Sequence, residues 1–214
     1  GIRVALFIAI VIMIFSQCNG VNMMLLYGPT ILAEAGISVG SNAILSSIPI
    51  YLLIFFCTIA AFGLINRYSR RGLLISSVLF MALGHVVMAV NLHFQFPPLF
   101  TLAPMLIGTG AFTLGFAPLS WIIVSEIFPN RIRSQALAVV CFFLYGASFV
   151  TAQVFPMLTE WFDTRFNNSS GVYMIFGCIC LACAVFSWKM VPETKNLSLE
   201  KISEFWLSND KPRK

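Results

Sequence analysis

The chain has 214 residues, of which 59% are hydrophobic and only 10% charged, and its mean hydropathy is +0.90. A soluble domain carries about 25% charged residues, so this composition excludes a water-soluble globular fold and favours a membrane protein. The net charge of +5 does not indicate nucleic-acid binding, because it comes from basic residues gathered on one side of the predicted topology.

Long apolar runs divide the chain into six candidate spans, since a helix that crosses a bilayer needs about 20 mostly apolar residues. The runs cover roughly 4–33, 42–65, 73–92, 98–125, 136–158 and 171–191. They do not alternate polar with apolar residues, which disfavours a β-barrel. We therefore predict an all-α, polytopic membrane protein: residues 1–191 form a six-helix bundle, and residues 192–214 form a cytosolic amphipathic helix and tail.

The basic residues predict the orientation of this bundle. Every Lys and Arg except Arg165 falls on one side of a six-span topology. The positive-inside rule then places both termini in the cytosol.

The first span contains the unusual polar sequence "SQCNGVN". Gln17 and Asn22 are five positions apart, which is about 140° around a regular helix, so they cannot face one ligand unless the helix unwinds between them. Gly20 is the residue that would allow this unwinding. Together with Ser16 and Asn19, these side chains predict a ligand site at mid-membrane depth, as in transporters with interrupted helices. The alternative is hydrogen bonding between helices.

The fourth span is also predicted to be irregular. Gly108, Gly110, Gly115 and Pro118 allow bending. Trp121 follows, and its indole offers a flat apolar face and one N–H donor, a combination that suits a sugar. The alternative is a tryptophan that packs in the bundle or anchors it at the membrane interface.

Charged residues of the predicted cytosolic face suggest a latch of ion pairs between helix ends. Half-buried pairs of this kind could hold one conformation and release it in another. The alternative is ordinary positive-inside charge with incidental pairing. The candidate residues are Arg70, Arg71, Glu126, Arg133 and Glu193, and Arg131 is a further base on the same face.

Metal, cofactor and enzymatic chemistry are not expected. The six cysteines all fall within predicted spans, and neither they nor His85 and His93 show metal-ligand spacing. Both histidines are interpreted as packing or loop residues. We predict no metal, no cofactor and no catalytic residues, because no nucleophile lies in a recognisable pattern with a base.

Four segments, taken together, resemble a known family. They are "SQCNGVNMMLLYGP", "NRYSRRGLL", "SEIFPNRIRSQALA" and "PETKNLSLEKI". In order and spacing they are similar to the second half of the sugar porters of the major facilitator superfamily. The resemblance implies the C-terminal half of a twelve-helix transporter in the plasma membrane. Its expected partners are the missing N-terminal six-helix half, the lipid bilayer and a sugar or polyol substrate.

The resemblance also implies roles for individual residues. Gln17 and Asn22 would bind sugar hydroxyls, with Ser16 in place of the family's first glutamine. Trp121 would stack near the sugar, and Tyr145 would replace a second aromatic residue.

Three further positions match the gating elements of the family: Gly20, Tyr27 and Pro118. The five cytosolic charged residues match its ion-pair network. The sequence departs from the family pattern at five positions where that pattern contains polar or acidic groups. They are Ser16, Leu26, Ile54, Asn66 and Leu144.

These observations predict transport of a hexose or polyol by alternating access, and no transport by this polypeptide alone. The main alternative is a nutrient sensor or truncated paralogue that does not transport. Carriers of organic cations or phosphate are disfavoured, because no acid or arginine lies in the middle of a span.

Overall fold

The computed structural model describes residues 2–26, 28, 48–97, 99–193 and 195, and every regular element in these ranges is helical. The elements are α1 (Ile2–Cys18), α2 (Val21–Leu26), α3 (Ile48–Arg67), α4 (Arg70–Phe94), α5 (Leu99–Ala111), a π-helical segment (Phe112–Phe116), α6 (Ala117–Ile127), α7 (Arg133–Phe166) and α8 (Ser170–Met190).

These helices form six segments long and apolar enough to cross a membrane, in agreement with the predicted number. The first combines α1 and α2, and the fourth combines α5, the π-helical segment and α6. Between α3 and α4 the chain turns within two residues. Ser69 begins α4, because its hydroxyl accepts a hydrogen bond from the amide of Gly72 at 3.1 Å.

The fifth span is longer than the sequence predicted. Instead of residues 136–158, α7 covers 34 residues and continues through the polar segment 159–166. A fall in hydropathy does not end a helix, and α7 ends only where Asn167 adopts a left-handed conformation with φ of 52°. At 1.5 Å per residue α7 is about 51 Å long, so it extends beyond a hydrocarbon core of about 30 Å unless strongly tilted.

Helix α4 lies at the centre of the packing, against α8 on one side and α5 on another, while α1 packs mainly against α7. Small residues allow close approach: a Cβ on Gly84 would lie 3.0 Å from the backbone nitrogen of Gly108. The largest apolar cluster joins α1 to α4, α6 and α8, and includes Ile12, Met81 and Ile123.

Helices α3 and α7 are much less covered than the others. They expose large apolar side chains such as Phe62 and Phe142. Exposed apolar surface is expected where a helix meets lipid or another helical unit. The predicted amphipathic helix of the C-terminal segment 192–214 lies outside the described residues, apart from positions 192, 193 and 195, and so it stays a prediction.

Candidate functional site

The first span is interrupted at Asn19 and Gly20, where the sequence predicted unwinding. Helix α1 ends at Cys18, α2 begins at Val21, and Gly20 has a φ of 81° that side chains other than glycine rarely adopt. The buried side chain of Asn19 bridges the two ends. Its Nδ2 donates to the carbonyl of Ser16 at 2.7 Å, and its Oδ1 accepts from the amide of Val21 at 2.8 Å. One amide thus satisfies a backbone group on each side of the break.

The interruption brings Gln17 and Asn22 together. Asn22 Nδ2 donates to Gln17 Oε1 at 2.9 Å and lies 3.3 Å from the carbonyl of Ser16. Gln17 Nε2 in turn donates to the hydroxyl of Ser16 at 3.3 Å. Both amides are only partly buried, and Asn22 Oδ1 has no partner within the described ranges. The pair therefore retains capacity to bind a polar ligand.

Ser16 itself faces the interior. Its side chain is buried, and its hydroxyl donates to the carbonyl of Met13 at 2.7 Å. This bond and the one from Gln17 suggest that Ser16 supports Gln17 more than it contacts a ligand.

Side chains from two other helices, α4 and α8, contact the break. His85, on α4, has no exposed surface, and its Nε2 lies 2.6 Å from the carbonyl oxygen of Asn19. Cys180, on α8, places its thiol 3.6 Å from the same oxygen. The expectation that His85 is a packing or loop residue leaves out this bond, because the contact joins positions 66 residues apart. The role of Asn19 could have been found, since Asn-Gly pairs favour turns.

The fourth span is irregular in a different way. Its winding widens into a π-helix at Phe112–Phe116, and Pro118 lies in the first turn of α6 directly after it. The winding is continuous here, because the amide of Ala117 donates to the carbonyl of Phe112. Proline has no amide hydrogen, so one helical backbone bond is lost at Pro118. Gly115 packs closely on α4, where a Cβ would lie 2.6 Å from the Cβ of Ser77.

The two aromatic candidates are exposed in this chain. Trp121, on α6, is 45% exposed, and Tyr145, on α7, is 70% exposed, whereas its neighbour Leu144 is buried. Within the part of the chain that the structure describes, no hydrogen bond or ring contact joins either residue to Gln17 or Asn22. The third gating candidate, Tyr27, lies outside the described residues.

The charged residues predicted to lie on the cytosolic face are arranged differently from the expected network of side-chain pairs. Arg70 and Glu126 form an ion pair, the one found among the described residues. Glu193 accepts instead from the backbone amides of Arg70 at 3.1 Å and Arg71 at 3.3 Å. A carboxylate is favourable at this position because the first amides of α4 lack helical partners.

The two remaining arginines also bind backbone rather than carboxylates. Arg71 donates to the carbonyl of Trp188 near the end of α8, and Arg133 donates to the carbonyl of Phe128 at 3.2 Å. Carbonyls at helix ends and in turns are free acceptors, which explains this choice. The helix ends are therefore tied together by one ion pair and several backbone contacts. Buried Nε of Arg133 and Oε2 of Glu126 have no partner within the described ranges.

Metal binding finds no support in the described part of the chain, where no group of three or more His, Cys, Asp and Glu residues could hold an ion. The site is thus an amide pair at a helix break, with exposed aromatic residues on other helices.

Comparison with known proteins identifies the family. A family model described as "Sugar (and other) transporter" matches residues 1–206. The chain belongs to this family of transporters. It is therefore a multi-pass membrane protein, and its bundle is a six-helix half of the major facilitator fold.

Individual relatives agree with this assignment. The chain is 33% identical, over 93% of its length, to the D-xylose-proton symporter of Escherichia coli strain K12, and 31% identical, over 97%, to the arabinose-proton symporter of Bacillus subtilis. A solved structure of the proton:xylose symporter XylE bound to 6-bromo-6-deoxy-D-glucose is 32% identical, with a TM-score of 0.85 over 94% of this chain.

The match covers only part of each relative. The chain spans 40% of the E. coli symporter, 44% of the B. subtilis symporter and 42% of the XylE structure. More than half of each of these relatives therefore lies outside the region that this chain matches.

Proposed function

We propose that the chain forms the C-terminal half of a carrier that moves a monosaccharide or polyol across a membrane by alternating access. The observation that carries this proposal is the meeting of the Gln17 and Asn22 amides at an interrupted transmembrane helix. An amide group both donates and accepts hydrogen bonds, and so does each hydroxyl of a sugar. Interrupted helices that carry such groups are a common way to build a transporter site.

The aromatic residues complete the proposed site. Trp121 and Tyr145 are exposed in the six-helix chain, and we place them on the surface that faces the N-terminal half. In the complete carrier the indole of Trp121 would cover the apolar C–H face of the sugar while Gln17 and Asn22 bind its rim.

The substrate we propose is a pentose or hexose. Support comes from relatives named for D-xylose and arabinose, both of them proton symporters. In the described spans the acidic residues lie towards helix ends: Glu126 in the last turn of α6, and Glu160 and Asp163 near the end of α7. A proton-coupling carboxylate would therefore belong to the other half.

The Arg70–Glu126 pair supports the conformational part of the proposal. One oxygen of Glu126 and the Nε of Arg133 are buried without partners in the described part of the chain. Buried polar atoms are costly when unpaired. We propose that their partners lie on the N-terminal half and pair with them in the outward-facing state. We also propose that the carrier lies in the plasma membrane with both termini of this chain in the cytosol.

The test is uptake in cells that lack their own sugar carriers. Three samples are compared: the chain alone, the chain produced together with its N-terminal six-helix half, and that half alone. The probes are radiolabelled D-xylose, L-arabinose, D-glucose and sorbitol. We expect uptake of at least one sugar by the two halves together and none by either half alone.

Two outcomes would contradict the proposal. Uptake by this chain alone would show that the site does not need a second half. Sugar binding by the complete protein without any flux would favour the alternative function, a nutrient sensor.

A further inference from the structure

The carbonyl of Asn19, at the centre of the break, is held by side chains of two other helices. His85 Nε2 lies 2.6 Å from this oxygen and the Cys180 thiol 3.6 Å from it. A carbonyl oxygen only accepts hydrogen bonds, so Nε2 must carry the proton of the imidazole ring. The Nδ1 atom of the same ring is buried and has no partner among the described residues. The hydrogen-bonding contribution of His85 is therefore directed at the break.

The histidine ring is itself fixed in place. Its centroid lies 5.7 Å from that of Phe176 and 6.3 Å from that of Tyr173, both on α8. The same ring limits the room at the turn, because a Cβ on Gly20 would lie 2.9 Å from His85 Cε1 and 2.5 Å from Phe176 Cγ. The unwound turn thus packs against the rings of His85 and Phe176, and His85 also supplies its hydrogen-bond donor.

We propose that His85 is a positioning residue: it stabilises the unwound turn and thereby keeps Gln17 and Asn22 together. In a continuous α-helix the carbonyl of residue 19 would bond to the amide of residue 23. At the break a side chain from α4 offers a donor instead. Without His85 the carbonyl keeps only the thiol of Cys180, a weak donor at 3.6 Å. Rewinding then satisfies this carbonyl better, and it moves Gln17 and Asn22 about 140° apart. This role rests on the proposed sugar-binding function of the two amides.

Substitution can separate the donor from the bulk of the ring. The amide nitrogen of glutamine reaches about as far as Nε2, whereas that of asparagine reaches only as far as Nδ1. We therefore compare His85→Gln, His85→Asn and His85→Leu in the complete carrier, meaning this chain with its N-terminal half. His93→Gln is the control, because His93 is exposed in the last turn of α4, about two helical turns from His85.

The first measurement is the concentration dependence of D-xylose uptake, corrected for the amount of carrier in the membrane. We expect His85→Asn and His85→Leu to raise KM about 10-fold, the effect of one lost hydrogen bond, with a smaller change in kcat. His85→Gln and His93→Gln should stay within about 3-fold of the parent. An equal rise in KM for the Gln and Asn variants would overturn the proposal.

The second measurement is hydrogen exchange of the amides in residues 17–23 of the same samples without sugar. We expect slower exchange in His85→Asn and His85→Leu, because rewinding returns these amides to helical hydrogen bonds. Exchange in His85→Gln should stay at the parent rate. Parent-like exchange in all three variants would overturn the positioning role. A parent carrier that takes up no sugar would instead contradict the proposed function, and the exchange result would still decide whether His85 sets the turn.

Discussion

Both irregular spans must keep their backbone groups hydrogen-bonded inside a membrane, and they do so in different ways. The first loses two residues of helix at Asn19 and Gly20, and polar side chains replace the lost backbone bonds. The fourth keeps its winding through Phe112–Phe116 by shifting to the wider π-helical pattern, in which Phe112 and Phe116 pack in the apolar core. There the hydroxyl of Thr113 donates to the carbonyl of Thr109 at 2.8 Å. The first span therefore pairs its freed backbone groups with side chains across the break, whereas the fourth pairs them mainly by a change of helical register.

This difference suggests separate tasks for the two spans. The break in the first span concentrates amide groups at one point, which suits ligand binding. The widened segment of the fourth span lets Gly115 approach α4 closely, and it sets the direction of α6, which carries Trp121. Substitutions at each place can test whether the two interruptions depend on different forces.

The largest effect is expected for Gly20→Ala. The positive φ of Gly20 disfavours any side chain by about 1–2 kcal/mol, and the collision of the new Cβ with Phe176 and His85 adds about 1–3 kcal/mol. We expect a loss of about 2–5 kcal/mol in unfolding free energy, measured by denaturant titration of the carrier in mixed micelles. Gly110→Ala is the control, since its Cβ would lie 3.5 Å from Leu53, an ordinary contact. Equal stability of the two variants would contradict the account.

A smaller effect is expected for Gly115→Ala in the widened segment. Here φ is not positive, so the cost is that of crowding alone, about 1–3 kcal/mol. The double variant Gly115→Ala with Ser77→Gly should recover part of this loss, because it removes the Cβ that would lie 2.6 Å away. Thermal unfolding of both variants would measure the recovery. Identical unfolding temperatures for the single and double variants would argue against a close contact at this position.

The smallest effect is expected at the Arg70–Glu126 ion pair. The side chains of Arg70 and Glu126 are 21% and 25% exposed, so Arg70→Ala should reduce the unfolding free energy by about 1 kcal/mol, at the upper end for exposed pairs. High salt should reduce the difference by screening. Arg131→Ala is the matched control, because Arg131 is exposed in the neighbouring turn. A loss as large for Arg131→Ala as for Arg70→Ala would contradict a specific role of the pair.

Much of the fold follows from hydropathy, and the break in the first span follows from a glycine among amides. The continuation of α7 to Phe166 could not be predicted, because a helix can leave the membrane without any change of backbone. The exact place of the π-helical segment depends on packing against α4. Such features are set by tertiary contacts and not by local sequence.

The candidate site was predictable only in part. The pairing of Gln17 with Asn22 follows once the helix is interrupted between them. The bond from His85 joins α4 to the break, and the carboxylate of Glu193 binds amides more than 120 residues away in the chain. Contacts of this range have no local signal in a single sequence.

The central claim is that the Gln17–Asn22 pair binds sugar, and a double-mutant cycle tests it most directly. D-xylose uptake is measured in the complete carrier for Gln17→Ala, Asn22→Ala and the double variant. Each single change should raise KM by about 5–10-fold, and the double variant should exceed the worse single variant by no more than about twofold, because the two amides bond to each other. A parent-like KM in the double variant would contradict the claim.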